Sequence, residues 1–196
     1  MTTKLRFTYG TMASGKSLQL LTIAYNFEQR GIPFIVIKSE IDTRDSGVIR
    51  SRIGNGIERE CTLVGQDDNL YNLIAPIKER PLWILVDEAQ FLTEVQVDQL
   101  SDLVDYLGIN VWCFGLRTDF KTHLFSGSKR LFEIADTIEE LKSSCECENK
   151  NIVNARMTKD GKLAVAGSSI EVGGDERYTA ICRKCYKEKL KEERND

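Results

Sequence analysis

The stretch GTMASGKS, residues 10–17, constrains this chain more than any other. It satisfies G-x-x-x-x-G-K-[ST] at every position. Before it stands the short apolar run KLRFTY; after it SLQLLTIAYNFEQRG carries Leu18, Leu21, Ile23, Ala24 and Phe27 near helical spacing and stops at Gly31. A strand that turns through such a loop into a helix is a phosphate cradle. Gly10 and Gly15 let the backbone fold closely enough for its N–H groups to converge on phosphate oxygens. Lys16 supplies a point charge to the β- and γ-phosphates, the Ser17 hydroxyl is a ligand for Mg²⁺, and the helix start adds a partial positive charge.

Downstream, PFIVIKS reads as a continuous buried strand, and Glu40 to about Glu60 as a long polar, glycine-dotted loop. LWILVDEAQF is a strand with an acidic end, followed by a helix near 94–107 and the strand INVWCFGL. A further helix is predicted near 126–143, with Ser126 or Ser128 as its cap. This alternation predicts an α/β fold, a P-loop parallel sheet with helices on both faces and ligands at the carboxyl ends of its strands. From Ser144 the composition turns to cysteine pairs and short β-like pieces. The expected division is an ATP-binding domain over 1–143, a small lobe over 144–190 and a charged tail over 191–196.

Totals narrow the function. With 196 residues, 41% hydrophobic and 29% charged, the chain suits one globular domain plus an appendage. A formal net charge of -3 argues against tight non-specific binding of a nucleic-acid polymer. The opening residues do not resemble an export signal and the apolar runs are too short to cross a bilayer, so a cytoplasmic protein with no membrane partner is expected.

Asp87 closes the strand WILVD, where such folds hold the second ligand of Mg²⁺; Glu88, beside it, is placed to take a proton from whatever attacks the γ-phosphate. If water attacks, the chain is an NTPase, and DEAQ is similar to the acidic box of helicases. A helicase, however, needs two motor domains or a ring together with nucleic-acid grips. Three classes therefore stand at this point: a phosphotransferase, a P-loop ATPase whose small lobe grips nucleic acid, and a module that binds nucleotide without turnover.

Six cysteines are present. Cys61 is isolated, and Cys113 reads as a small buried hydrophobe. Cys145, Cys147, Cys182 and Cys185 form a C-x-C and a C-x-x-C pair, the pattern of a structural Zn²⁺ site that cross-links a lobe with little core of its own. The single histidine, His123, is read as a surface or subunit-contact residue.

Taken in order, GTMASGKS, EIDTRDS, SRIG, LVDEAQF, FGLRTDF, FSGSKRLFEIAD, VGGDERY and CRKCY resemble the thymidine kinases of the cellular cytosolic, bacterial and large-phage type, over almost the whole chain. The resemblance implies transfer of the γ-phosphate of ATP to the 5′-hydroxyl of thymidine or deoxyuridine with Mg²⁺. It also implies a recombinase-like domain with a zinc-bearing lobe, a homotetramer, and feedback inhibition by dTTP. By position, Gly10, Thr11, Met12, Ala13, Ser14, Gly15, Lys16, Ser17, Asp42, Arg44, Asp87 and Gln90 would serve ATP and its metal, with Glu88 the general base. Met12, Phe91, Leu116, Phe120 and Phe125 would line the base pocket. Glu171, Val172, Gly173, Gly174 and Tyr178 would belong to a loop that closes over the nucleoside. Thr11 and Ala13 stand where relatives often carry proline and phenylalanine, and C-x-C replaces the more frequent C-x-x-C.

Overall fold

The computed structural model describes residues 2–42, 47–51, 57–158, 160–167 and 177–195. Strand β1 (Leu5–Gly10) leads into α1 (Lys16–Gln29) and β2 (Phe34–Ser39). The polar segment that follows contains a small antiparallel hairpin, β3 (Val48–Arg50) and β4 (Glu58–Glu60). Next come β5 (Thr62–Val64), α2 (Leu70–Ile74), β6 (Trp83–Asp87), a 3₁₀ turn (Ala89–Phe91), α3 (Glu94–Leu107) and β7 (Asn110–Gly115). The sheet domain ends with α4 (Ser126–Ile134) and β8 (Thr137–Leu141). The small lobe adds β9 (Val153–Met157), β10 (Arg177–Ile181) and α5 (Arg183–Asn195), so that Lys191 to Asn195 are helical.

Six strands form one sheet in the order β5-β2-β6-β7-β1-β8, with every neighbouring pair parallel. Side chains alternate across a strand, and the apolar runs exploit both faces. Ile37, Ile84, Val86 and Val111 pack with Leu70 and Ile74 of α2, Leu100 and Leu103 of α3 and Leu131 of α4. Val36, Leu85 and Phe114 face the other way, onto Leu20, Leu21 and Ala24 of α1. This α/β layering brings the carboxyl ends of β1, β6 and β7 to one rim.

The helix expected near 126–143 is a correction. It stops at Ile134, Ala135 is extended, and residues 137–141 become the edge strand β8, parallel to β1. Asp136 makes the switch: its side chain accepts from Leu5 N–H at 2.7 Å while its own N–H donates to Leu5 O at 2.9 Å. With the chain docked on β1, the β-branched pair Thr137-Ile138 extends the ladder, and pairing overrides helical pattern. Neither serine caps α4 either. Phe125 holds the cap position without a side-chain bond, while Ser126 and Ser128 hydroxyls donate to Leu92 O and Leu116 O.

The lobe has its own core of Val153, Ala155, Leu163 and Ile181, closed by Cys145 and Cys182. Among the described residues no helix is long and apolar enough to cross a membrane.

Candidate active site

The phosphate loop follows β1 as expected, with Gly15 in the left-handed region (φ 90°) and Ala13 beside it at φ 58°. Gly10 must be glycine for a different reason. A Cβ there would run into the Ser14 hydroxyl and approach Leu141 O to 2.7 Å. Lys16, opening α1, is buried, and its Nζ donates to Thr11 O at 2.8 Å and Gly10 O at 3.3 Å. The ammonium is thus held at the rim of the loop it serves.

Asp87 ends β6, but that strand is not the immediate neighbour of β1, because β7 lies between them. Helix α1 spans the gap: Ser17 Oγ donates to Asp87 Oδ2 at 3.2 Å. Burial first, and then the adjacent Glu88 carboxylate, push the Asp87 carboxyl up to about 7, against Lys16 and Lys38, which pull it down. A buried carboxylate and a hydroxyl in contact are hard oxygen donors under-supplied with positive charge, and they fit Mg²⁺.

Glu88 has φ 50°, a left-handed conformation uncommon for glutamate, which turns the chain at the strand end into the 3₁₀ turn. Its carboxylate is held from below. Gln90, 1% exposed, donates from Nε2 to Glu88 Oε2 at 2.6 Å and accepts from Leu116 N–H at Oε1, 2.9 Å. Gly115 makes room, since a Cβ there would lie 2.9 Å from Gln90 Oε1. The structure therefore gives Gln90 contacts to the proposed base and to the backbone of a pocket residue.

Asp42 lies at the same rim, paired with Lys38 Nζ at 3.1 Å, both nearly inaccessible. Lys38 stands opposite Asp87 in the β2–β6 register. Sequence reasoning missed Lys38, although a lysine closing the apolar run PFIVIK was the signal.

Of the base-pocket set, Phe91 and Phe125 meet edge to face at 5.7 Å, and Leu116 is fixed to Gln90. Phe120 is buried, with the Arg156 guanidinium 4.0 Å from its ring centroid and the Tyr186 hydroxyl donating to its carbonyl at 3.2 Å. Met12 is half-buried, and Tyr178 lies on β10 opposite Arg156. Arg44, Glu171, Val172, Gly173 and Gly174 fall outside the described residues.

The four paired cysteines converge. Their sulfurs all lie within 4.8 Å of one another, with 3.9 Å between Cys145 and Cys185, 3.5 Å between Cys147 and Cys182, and 3.4 Å between Cys147 and Cys185. Tetrahedral Zn²⁺ with Zn–S near 2.3 Å requires sulfurs about 3.8 Å apart, so the set fits. The tight C-x-C pair is accommodated by a turn in which Glu148 N–H donates to Cys145 O and Glu148 takes φ 67°. Cys147 Sγ accepts from the Asn149 side chain, a bond that favours its thiolate, and Cys182 Sγ accepts from Cys185 N–H. His123 is exposed and, among the described residues, belongs to no such cluster.

A parallel sheet with a phosphate loop after β1 and a carboxylate pair facing it across the rim defines a P-loop nucleotide-binding protein. The family model described as Thymidine kinase matches residues 3–186, and the chain belongs to that family. Relatives named Thymidine kinase include one from Streptococcus pyogenes, 40% identical over 93% of this chain and 96% of its own length. Another, from Rhodopirellula baltica, is 45% identical over 98% of this chain and 92% of its own. A third, from Streptococcus thermophilus, is 44% identical over 92% of each. Among solved structures, the Pif1 helicase from Candida albicans is matched at a TM-score of 0.43 and 18% identity, over 72% of this chain and 36% of that one.

Proposed function

We propose that this chain transfers the γ-phosphoryl group of ATP to the 5′-hydroxyl of thymidine, and of deoxyuridine, giving dTMP and ADP as a salvage step in DNA precursor synthesis. Family membership gives the kinase and its substrate class; the observation that carries the mechanism is the Glu88 carboxylate, clamped by Gln90 beside Asp87. The 5′-oxygen attacks the γ-phosphorus while the bond to the β,γ-bridging oxygen breaks, and Glu88 accepts the hydroxyl proton. Lys16 releases its hold on the loop carbonyls to follow the β- and γ-phosphates. Mg²⁺, held by Ser17 and Asp87, supplies further neutralisation of phosphate charge when bound. Lys38 pairs with Asp42 and holds it in place at the rim. Phe91 and Phe125 offer apolar faces to the thymine ring.

Zinc on Cys145, Cys147, Cys182 and Cys185 is structural in this reading, because four thiolates leave no open position. A homotetramer, inhibition by dTTP, a cytoplasmic setting and closure of residues 171–174 over the base complete the proposal on the strength of the resemblance.

The test is incubation with ATP, Mg²⁺ and a panel of nucleosides. Formation of dTMP and dUMP, and of little else, is the expected result. ATP hydrolysis stimulated by DNA without a nucleoside product would replace this reading with an ATPase, and tight nucleotide binding with neither product would replace it with a sensor.

A further inference from the structure

We infer that Asn154 is a positioning residue for the ATP site, fastening the phosphate loop to the zinc lobe; the role rests on the kinase reading above. Asn154 lies on β9, outside the parallel sheet, and is nearly inaccessible. Its Oδ1 accepts the Met12 backbone N–H at 2.7 Å. The preceding loop residue is gripped as well: Thr11 Oγ1 and Ser143 Oγ are 2.8 Å apart, and Ser143 Oγ accepts from Asn151 Nδ2 at 3.0 Å. Two consecutive residues of the loop are therefore held, Met12 directly by the second lobe and Thr11 through Ser143 and Asn151, and the carbonyl of Thr11 is a seat of Lys16 Nζ.

β9 can hold a loop in place because it is itself fixed. Asn154 pairs with Ala180 of β10, the next β10 residue is Ile181, and Cys182 follows as a member of the thiol cluster. Ile152 O, just before β9, accepts from Arg117 at 3.3 Å, on the chain between Leu116 and Phe120.

The loop needs such an anchor. Gly10 and Gly15 flank it, Ala13 and Gly15 take left-handed backbone, and its own backbone bond from Ser14 N–H to Thr11 O is 3.3 Å long, so contacts from outside the loop add to its order. Phosphate affinity depends on N–H groups already aimed, since any ordering left until binding subtracts from it. A carboxamide suits the position: it offers a strong acceptor to Met12 without placing a charge beside the phosphates.

Hydrogen exchange in the nucleotide-free protein reads the tie directly, and steady-state kinetics reads its consequence. Asn154→Ala should speed exchange in the peptide spanning residues 9–17 and raise KM for ATP about tenfold, the worth of one buried hydrogen bond, with the change falling on KM rather than kcat. Asn154→Asp, which keeps the acceptor, should retain the loop's protection. Asn154→Ser, too short to reach, serves in place of alanine should that variant not fold. Zinc content and melting temperature report on the lobe. An unchanged KM for ATP in the acceptor-less variants would overturn the inference. So would exchange rising alike across the chain in the alanine and aspartate variants, which would make Asn154 a residue of the lobe's own fold. Loop protection and affinity for a non-hydrolysable ATP analogue are measured without thymidine, so they stand apart from failure of the kinase reading itself.

Discussion

Gln90→Leu is the most discriminating change at this site. The side chain is 1% exposed and has two bonds, one donated to Glu88 Oε2 at 2.6 Å and one accepted from Leu116 N–H at 2.9 Å. Leucine has similar volume and neither bond. A hydrogen bond to a charged group contributes about 1.5–3 kcal/mol, which corresponds to roughly 10- to 150-fold in rate if it acts wholly on the transition state. That sits below the 10²–10⁴-fold worth of a whole general base, because a misaimed Glu88 still accepts protons. The orphaned Leu116 N–H adds a stability cost of about 1–3 kcal/mol, or roughly 2–12 °C in a chain of this size.

The assay is dTMP formation at saturating ATP and thymidine, below the melting temperature of every variant. Gln90→Leu should lose about 10- to 100-fold in kcat. Combined with Glu88→Gln it should cost little more in kcat than Glu88→Gln alone, since the bond Gln90 makes to the reacting group goes to the carboxylate that has been removed, while its bond to Leu116 serves the pocket backbone. Wild-type kcat in Gln90→Leu, or two losses that multiply in the double variant, would refute the clamp.

Three further outcomes are expected. Glu88→Gln should lower thymidine phosphorylation by roughly 10²–10⁴ while affinity for a non-hydrolysable ATP analogue, measured by calorimetry, stays within a few-fold. Lys38→Met breaks the buried pair with Asp42 and should cost about 3–5 kcal/mol by urea unfolding, with part of the loss recovered in Lys38→Met/Asp42→Asn, which removes the Asp42 carboxylate and leaves Asp87 across from the methionine. Metal analysis should find one zinc per chain, and chelation or Cys182→Ser should lower the melting temperature of the lobe first; zinc-free protein of unchanged melting temperature would remove the metal from the account.

The parallel sheet was legible because its strands announce themselves. PFIVIK and WILVD are unbroken apolar runs, and GTMASGKS fixes what stands before and after it. Residues 137–141 were not legible, because TIEEL continues an amphipathic pattern and nothing local reveals that Asp136 will dock on Leu5. The order of strands was equally hidden. Nothing in WILVD reveals that β7 lies between its strand and β1, so that α1 must bring Ser17 across to Asp87.

The same division runs through the site. Lys16, Ser17, Asp87 and Glu88 sit in motifs whose chemistry follows from residue type and spacing, so their placement could be argued before any coordinates. Lys38 and Asn154 carry no such mark, and Gln90, though it lies in LVDEAQF, is assigned there to ATP rather than to aiming Glu88, since an amide or an ammonium has a role only through what the fold lays against it. Gln90 reaches 26 positions along the chain to Leu116, and Asn154 reaches 142 positions back to Met12. Contacts of that span are set by packing of whole elements, here the 3₁₀ turn against β7 and β9 against the loop. The groups that react are therefore written in short motifs, while the groups that aim them are written in the topology. A variant library confined to the motifs would sample the chemistry and Gln90 but miss Lys38 and Asn154.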